Sequence, residues 1–252
     1  MRYTSEDNLT KVPETILMFW IIKVAATTLG ETGGDAVSMS LGMGYLIGTA
    51  IFGILFFLAV FVQIKATKFH PALYWLTIIA TTTVGTTLAD FADRSLGIGY
   101  AGGVALLFSL LMTSLGIWYY ILGSISVNTV VTPKQEIFYW ITIMFSQTLG
   151  TALGDWTADS AGMGYGFAAL IFGAALALLS AAYYWTTISR TLLFWAAFIL
   201  TRPFGAVLGD FLDKPLNSGG LGLSRYTASL VLIVFIALCI ICFPQRAAPK
   251  IK

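Results

Sequence analysis

Charge is scarce in this chain. Only 10% of its 252 residues are Asp, Glu, Lys or Arg, against about a quarter in a soluble domain. So few charges cannot cover a water-facing surface, and 58% hydrophobic residues are incompatible with disorder. An ordinary soluble enzyme is excluded on the same ground. Histidine is nearly absent, with His70 the sole example, and cysteine is limited to Cys239 and Cys242. That argues against a dedicated zinc or copper site. The cysteine pair lies in an apolar run and reads as small hydrophobic residues of a membrane helix. A net charge of +2 is too small to attract a polyanion, so nucleic acid is not an expected partner. No P-loop, H-E-x-x-H or G-x-S-x-G is present, and neither an enzyme activity nor a prosthetic group is expected.

Long hydrophobic runs are what the chain has instead. Stretches without a charged residue cover 36–64, 95–133, 160–189 and 226–245, each long enough for the roughly 20 residues that cross a bilayer core. Between them, 14–34, 70–90, 136–155 and 190–210 are also apolar but end in acids. The expectation is an all-α integral membrane protein of eight transmembrane helices in a lipid bilayer. The first span is expected to act as its own insertion signal, since no charged segment with a cleavage pattern precedes it.

The runs repeat. Thr-Thr-Leu-Gly-Glu-Thr-Gly-Gly-Asp ends at Asp35 and Thr-Thr-Val-Gly-Thr-Thr-Leu-Ala-Asp at Asp90; Gln-Thr-Leu-Gly-Thr-Ala-Leu-Gly-Asp ends at Asp155 and Arg-Pro-Phe-Gly-Ala-Val-Leu-Gly-Asp at Asp210. A glycine stands five residues before each aspartate (Gly30, Gly85, Gly150, Gly205), and a tryptophan stands fifteen before it (Trp20, Trp75, Trp140, Trp195). Phe19, Tyr74, Tyr139 and Phe194 precede the tryptophans, and a Gly-x-Gly follows each aspartate, at Gly42, Gly97, Gly162 and Gly220. These copies define four helical hairpins over approximately 13–64, 69–123, 134–187 and 190–243. Each hairpin holds two spans, so all four enter the membrane in the same direction, as parallel repeats. Spacings of 55, 65 and 55 between the aspartates suggest a hairpin doubled twice, with pseudo-four-fold or doubled two-fold symmetry.

Nine basic residues (Arg2, Lys11, Lys65, Lys68, Lys134, Arg190, Arg246, Lys250, Lys252) fall at the termini and one set of loops, against Arg94, Lys214 and Arg225 on the other side. By the positive-inside rule both termini are cytoplasmic and the Gly-Asp corners face outward. A bacterial inner membrane is the expected location. The tryptophans then fall near the cytoplasmic interface, where they read as an anchoring aromatic belt.

Eight of the twelve acids sit at the corners: Glu31, Asp35, Asp90, Asp93, Asp155, Asp159, Asp210 and Asp213. Acids close to lipid are costly unless they face the bundle interior, water or a partner. Four and seven residues before the aspartate, on its helix face, stand Glu31 and Thr28, Thr86 and Thr83, Thr151 and Thr148, and then Ala206 and Pro203. Carboxylates and hydroxyls are hard oxygen ligands that suit Mg²⁺, Ca²⁺ or Mn²⁺. The candidate ligands are therefore Glu31, Asp35, Asp90, Asp155, Asp210, Thr28, Thr86 and Thr151. Lys23 and Arg202 lie inside spans and need carboxylates from other helices, since Arg202 is eight residues, about 12 Å of rise, from Asp210. With Asp93, Asp159 and Asp213 they form a candidate gating or charge-pairing set.

The corners followed by Gly-x-Gly-Tyr resemble a bacterial family of multi-spanning proteins labelled uncharacterised membrane-anchored proteins, over about Pro13 to Phe243. The resemblance implies a multi-pass fold and no particular chemistry. The residues themselves favour a transporter of a divalent metal cation, Mn²⁺ first, exporting it by proton exchange; a homo-oligomer is compatible with this. Two alternatives stand beside it. One is a non-transporting scaffold or partner subunit whose aspartates cap the following helix. The other is a carrier of small organic cations using Tyr45, Tyr100, Tyr165 and Trp156.

Overall fold

A computed structural model describes residues 9–249 of the chain; Arg2, Lys250 and Lys252 of the orientation argument lie outside the described residues. Among those described are eight α-helices: α1 (Leu17–Asp35), α2 (Gly44–Lys65), α3 (Pro71–Asp90), α4 (Tyr100–Leu122), α5 (Pro133–Asp155), α6 (Tyr165–Trp185), α7 (Arg190–Asp213) and α8 (Arg225–Cys242). Local sequence sets their starts and stops. Pro71 and Pro133 occupy first turns, where a missing N–H costs nothing. Thr132 and Gln135 form a capping box at α5, and Gly123 ends α4 in the left-handed region.

The four odd helices form an inner ring in chain order, α1 against α3, α3 against α5, α5 against α7, and α7 back against α1. The two helices of each hairpin pack mainly on other helices and not on each other. Each even helix crosses to the next repeat's inner helix: α2 packs on α3, α4 on α5, α6 on α7, and α8 returns to α1. The connection explains the crossing. In the first three repeats the inner helix runs on past its aspartate through a π-helical turn (Ala36–Ser40, Phe91–Ser95, Trp156–Ser160). The chain then turns at Gly42 and Gly44, Gly97 and Gly99, or Gly162 and Gly164, all with φ between 67° and 77°, a region that side chains avoid. In the fourth repeat α7 continues to Asp213 and the positive-φ glycines are Gly219 and Gly222. The aspartates therefore lie inside continuous helices, one turn short of the corner.

Glycine sets how closely the inner helices approach. At each −5 glycine the −8 residue of the next repeat fills the missing side chain's place: Thr82 at Gly30, Gln147 at Gly85, Arg202 at Gly150 and Thr27 at Gly205. The −1 glycines repeat the device, Gly34 against Thr86, Gly154 against Ala206 and Gly209 against Glu31. Small residues thus set a fixed vertical stagger between neighbours around the ring.

Six helices, α2, α3, α4, α6, α7 and α8, are long and apolar enough to cross a membrane. α1 and α5 fall outside that set, because they carry Lys23 and Glu31, or Glu136 and Gln147, in positions buried by the ring. The outer helices are mostly exposed and apolar, with Phe57, Phe61, Phe108, Leu170, Leu178 and Ile241 pointing outward. Beside the chain ends, β1 (Leu9–Pro13) pairs antiparallel with β2 (Ala247–Pro249). From β1, Lys11 reaches the Ile64 carbonyl at 3.0 Å and Glu136 at 2.5 Å. This clasp joins first and last repeats on the side opposite the aspartates.

The glycine grooves make a signed prediction. A methyl on Gly30 would lie 2.5 Å from Thr82 Cγ2 and 2.6 Å from its hydroxyl. Gly30→Ala should therefore lower stability by about 1–3 kcal/mol. Gly116→Ala, at an exposed helical position with nothing within 4 Å, should raise it by up to about 1 kcal/mol. Thermal unfolding in detergent measures both, and an unchanged or higher Tm for Gly30→Ala would show that the ring spreads without cost.

Candidate functional site

Stacked layers fill the inner ring. At the clasp end the aromatic pairs interlock between repeats: Phe19 with Trp75 at 5.4 Å, Tyr74 with Trp140 at 5.8 Å, Tyr139 with Trp195 at 6.3 Å, and Phe194 with Trp20 at 5.8 Å. Tyr74 and Tyr139 share a hydroxyl hydrogen bond of 2.7 Å. Trp75, Trp140 and Trp195 are buried, and Trp20 is half-buried. The belt expected of these tryptophans is instead a closed aromatic collar, because the crossing outer helices cover their faces. Exposed aromatics at this end lie on the outer helices, at Tyr119, Tyr120, Tyr183, Tyr184 and Trp185.

Above the collar, the Arg202 guanidinium from α7 reaches all three other inner helices. Its Nη2 donates to Glu31 Oε2 at 2.9 Å, to Thr86 Oγ1 at 2.6 Å and to Thr151 Oγ1 at 2.5 Å, and Nη1 donates to the Thr27 carbonyl at 3.4 Å. Only a group on the axis can do this. Glu31, Thr86 and Thr151 are the −4 residues of repeats one to three, and the fourth repeat has Ala206 there. The missing polar side chain leaves room for the arginine of its own helix. Arg202 does pair with a carboxylate of another helix, as its distance from Asp210 requires.

The aspartate layer comes next. Arg94 joins Asp90 at 2.9 Å to Asp155 of the next repeat at 3.2 Å. Lys214 likewise joins Asp210 at 2.9 Å to Asp35 at 3.2 Å. Both bases stand four residues after their own aspartate, in repeats two and four, so this layer follows a two-fold pattern. Arg225 adds contacts to Asp213 at 2.9 Å and to Asp35 at 3.5 Å. Burial works against the Lys214 charge, but Asp210 and Asp35 outweigh it and hold its pKa above the ordinary value. One oxygen each of Glu31, Asp35 and Asp210 lie within 4.8 Å of one another, all three residues being buried. Asp35 Oδ1 has no hydrogen-bond partner among the described residues. A cation held at about 2.0–2.6 Å fits oxygens at such spacing.

The predicted site residues therefore divide. Glu31, Asp35 and Asp210 come together, with Thr86 and Thr151 in the adjoining Arg202 layer. Asp90 and Asp155 are tied to each other through Arg94 instead. Thr28 does not join the axial network: its hydroxyl donates to its own helix, at the Val24 carbonyl, 3.0 Å away. In the charge-pairing set, Asp213 is paired, but three expectations are corrected. Asp159 is exposed and accepts from Tyr165 at 2.9 Å, with no ion pair among the described residues. Asp93 lies against Gly103 with neither oxygen hydrogen-bonded among the described residues, since the second repeat carries Gly102 and Gly103 where the fourth brings Arg225 close to Asp213. Among the described residues Lys23 meets no carboxylate, and it sits over the Phe198 ring, 4.2 Å from its centroid. None of the four aspartates makes a side-chain cap, because each helix continues past it. The tyrosines named for an organic cation are engaged as well: Arg94 lies 5.9 Å from the Tyr45 ring and 5.7 Å from that of Tyr100. Sequence reasoning missed the bridging roles of Arg94 and Lys214, which their shared +4 position could have signalled. It also missed Thr82 and Gln147, which share the −8 position with Arg202.

Comparison with known families returns one result. Residues 18–69, 73–122, 138–189 and 193–244 each match the Repeat of Unknown Function (DUF347). No curated protein and no solved structure is matched by the chain.

The Arg202 network yields a graded prediction. Arg202→Ala strips Glu31 of its only ion pair among the described residues and should cost about 3–5 kcal/mol. Thr151→Ala removes one acceptor and should cost about 1–2 kcal/mol. Denaturation of the purified variants gives the ranking, and equal losses would contradict it.

Proposed function

The chain belongs to the DUF347 repeat family, and on that footing we propose that it is a multi-pass protein of the bacterial inner membrane that carries a divalent metal cation, Mn²⁺ first among the candidates. The observation that carries the reading is the buried meeting of Glu31, Asp35 and Asp210 oxygens within 4.8 Å. Two repeats that are far apart in sequence supply hard ligands to one point, beside an uncommitted carboxylate oxygen on Asp35.

The surroundings support membrane insertion. Outer helices present apolar side chains all round, more than a soluble monomer exposes. Exposed Tyr119, Tyr120, Tyr183, Tyr184 and Trp185 form an interfacial band at the clasp end, where Lys65, Lys68, Lys134, Arg190 and Arg246 also gather. That end is cytoplasmic by the positive-inside rule. The fold is pseudo-four-fold in its packing and two-fold in its charge bridges.

Charge competition supplies the mechanism. Lys214 and Arg202 already form ion pairs with the three carboxylates. A metal ion that reaches the site past the collar binds by displacing the Lys214 ammonium, and its release at the aspartate end returns that ammonium or admits protons. The aromatic collar closes the other end of the axis, so passage requires a rearrangement; this favours a carrier over an open channel. Export against protons is the direction we assign.

Asp35→Asn should reduce both Mn²⁺-dependent thermal stabilisation and Mn²⁺ efflux from cells at least tenfold, with Asp155→Asn affected less. If folded Asp35→Asn protein keeps wild-type efflux and stabilisation, the carrier reading fails. Stabilisation by amines but not metals would instead identify an organic cation, and by neither a scaffold.

A further inference from the structure

Between the Arg202 layer and the collar, the inner ring holds polar groups that a cation carrier does not use. Lys23 on α1 is fully buried and its Nζ has no hydrogen-bond partner among the described residues. The same is true of the Thr82 hydroxyl on α3, both amide atoms of Gln147 on α5, and Nε of Arg202 on α7. Each inner helix contributes one of these side chains, at position −8 or, for Lys23, −12. Thr82, Gln147 and Arg202 are fixed there by the glycine grooves at Gly30, Gly85 and Gly150.

Native interiors leave few polar groups unmatched, and an unpaired buried ammonium is the costliest kind. The chemistry of the set is one-sided. It offers an ammonium, a guanidinium N–H, an amide NH₂ and a hydroxyl, all of them donors, with the Gln147 carbonyl as the one fixed acceptor. Among the described residues, the buried cations of this region are Lys23 and Arg202, and its one carboxylate, Glu31, is already paired with Arg202. At the other end acids outnumber bases, with Asp35, Asp90, Asp93, Asp155, Asp159, Asp210 and Asp213 against Arg94, Lys214 and Arg225. A metal ion would be repelled here, and water alone would leave the Lys23 charge uncompensated.

We propose that Lys23, Thr82, Gln147 and Arg202 form a binding site for a small monovalent anion of the halide class. The site lies on the collar side of the guanidinium. Lys23 is eight residues below Glu31, about 12 Å along the helix. It does not depend on metal transport. An anion at this level neutralises Lys23 and leaves the Arg202 Nη2 hydrogen bonds to Glu31, Thr86 and Thr151 intact.

The test uses full-length protein in detergent, prepared in sodium gluconate and titrated with sodium chloride at constant ionic strength. Wild-type protein should broaden the ³⁵Cl resonance saturably and gain several degrees in Tm. Lys23→Met and Gln147→Leu should each weaken the chloride affinity at least tenfold, while Gln147→Leu keeps its response to Mn²⁺. Gln147→Leu removes no charge and reads the site even if Lys23→Met does not fold. Identical behaviour in chloride and gluconate, or wild-type chloride affinity in folded Gln147→Leu, would overturn the proposal and leave these groups to water. A missing Mn²⁺ effect alongside a chloride effect would sink the carrier reading alone.

Discussion

Close approach of neighbouring inner helices at the −5 glycines is the constraint on which the rest of the molecule depends. With no side chain at Gly30, Gly85, Gly150 or Gly205, the −8 residue of the next helix lies directly against the backbone. That contact sets both the separation and the vertical stagger of each pair. Once the stagger is repeated around a closed ring, residues at equal distance from their aspartates come to equal depth. The aromatic collar, the Arg202 layer and the aspartate layer are consequences of that register. Closure also removes the exposed end repeats that an open array would have to cap.

The ring then sorts charge by depth. Arg94, Lys214 and Arg225 balance part of the aspartate layer at the mouth, while Arg202 and Lys23 outnumber Glu31 deeper in. The asymmetry that permits this is small: the fourth repeat replaces a −4 threonine with Ala206 and a −8 threonine or glutamine with Arg202. A pseudosymmetric scaffold thereby acquires one unique axial charge. Counter-charges built into the site, rather than supplied by solvent, let a bound cation be exchanged for a side chain, and this gives the carrier reading its physical content.

Much of this architecture was legible in the chain. The four charge-free stretches correspond to the outer helices, and the polar halves to the inner ones, because an outward face needs no polar residue and an axial face does. The Arg202 partnership with another helix followed from helical rise alone. Other readings failed for a shared reason. Position along one chain suggests a belt for the tryptophans and a corner for the aspartates. The π-helical turns and the crossing of each outer helix to the next repeat changed what those positions touch. Asp90 and Asp155 looked equivalent to Asp35 and Asp210, yet Arg94 binds the first pair and only the second meets Glu31.

The sequence by itself determined the apolar character of the exterior, the four-fold repetition and the periodic rows of glycine, hydroxyl and carboxylate along each inner helix. These depend on composition and on spacing within single helices, where 3.6 residues per turn decides which side chains share a face. Tertiary structure alone decided which repeats meet, which carboxylates converge and which base serves two aspartates. Those outcomes come from ring closure. Glu31 and Arg202 are 171 residues apart and touch only because α7 returns to α1. No local spacing encodes a contact whose two sides are set by four successive helix packings.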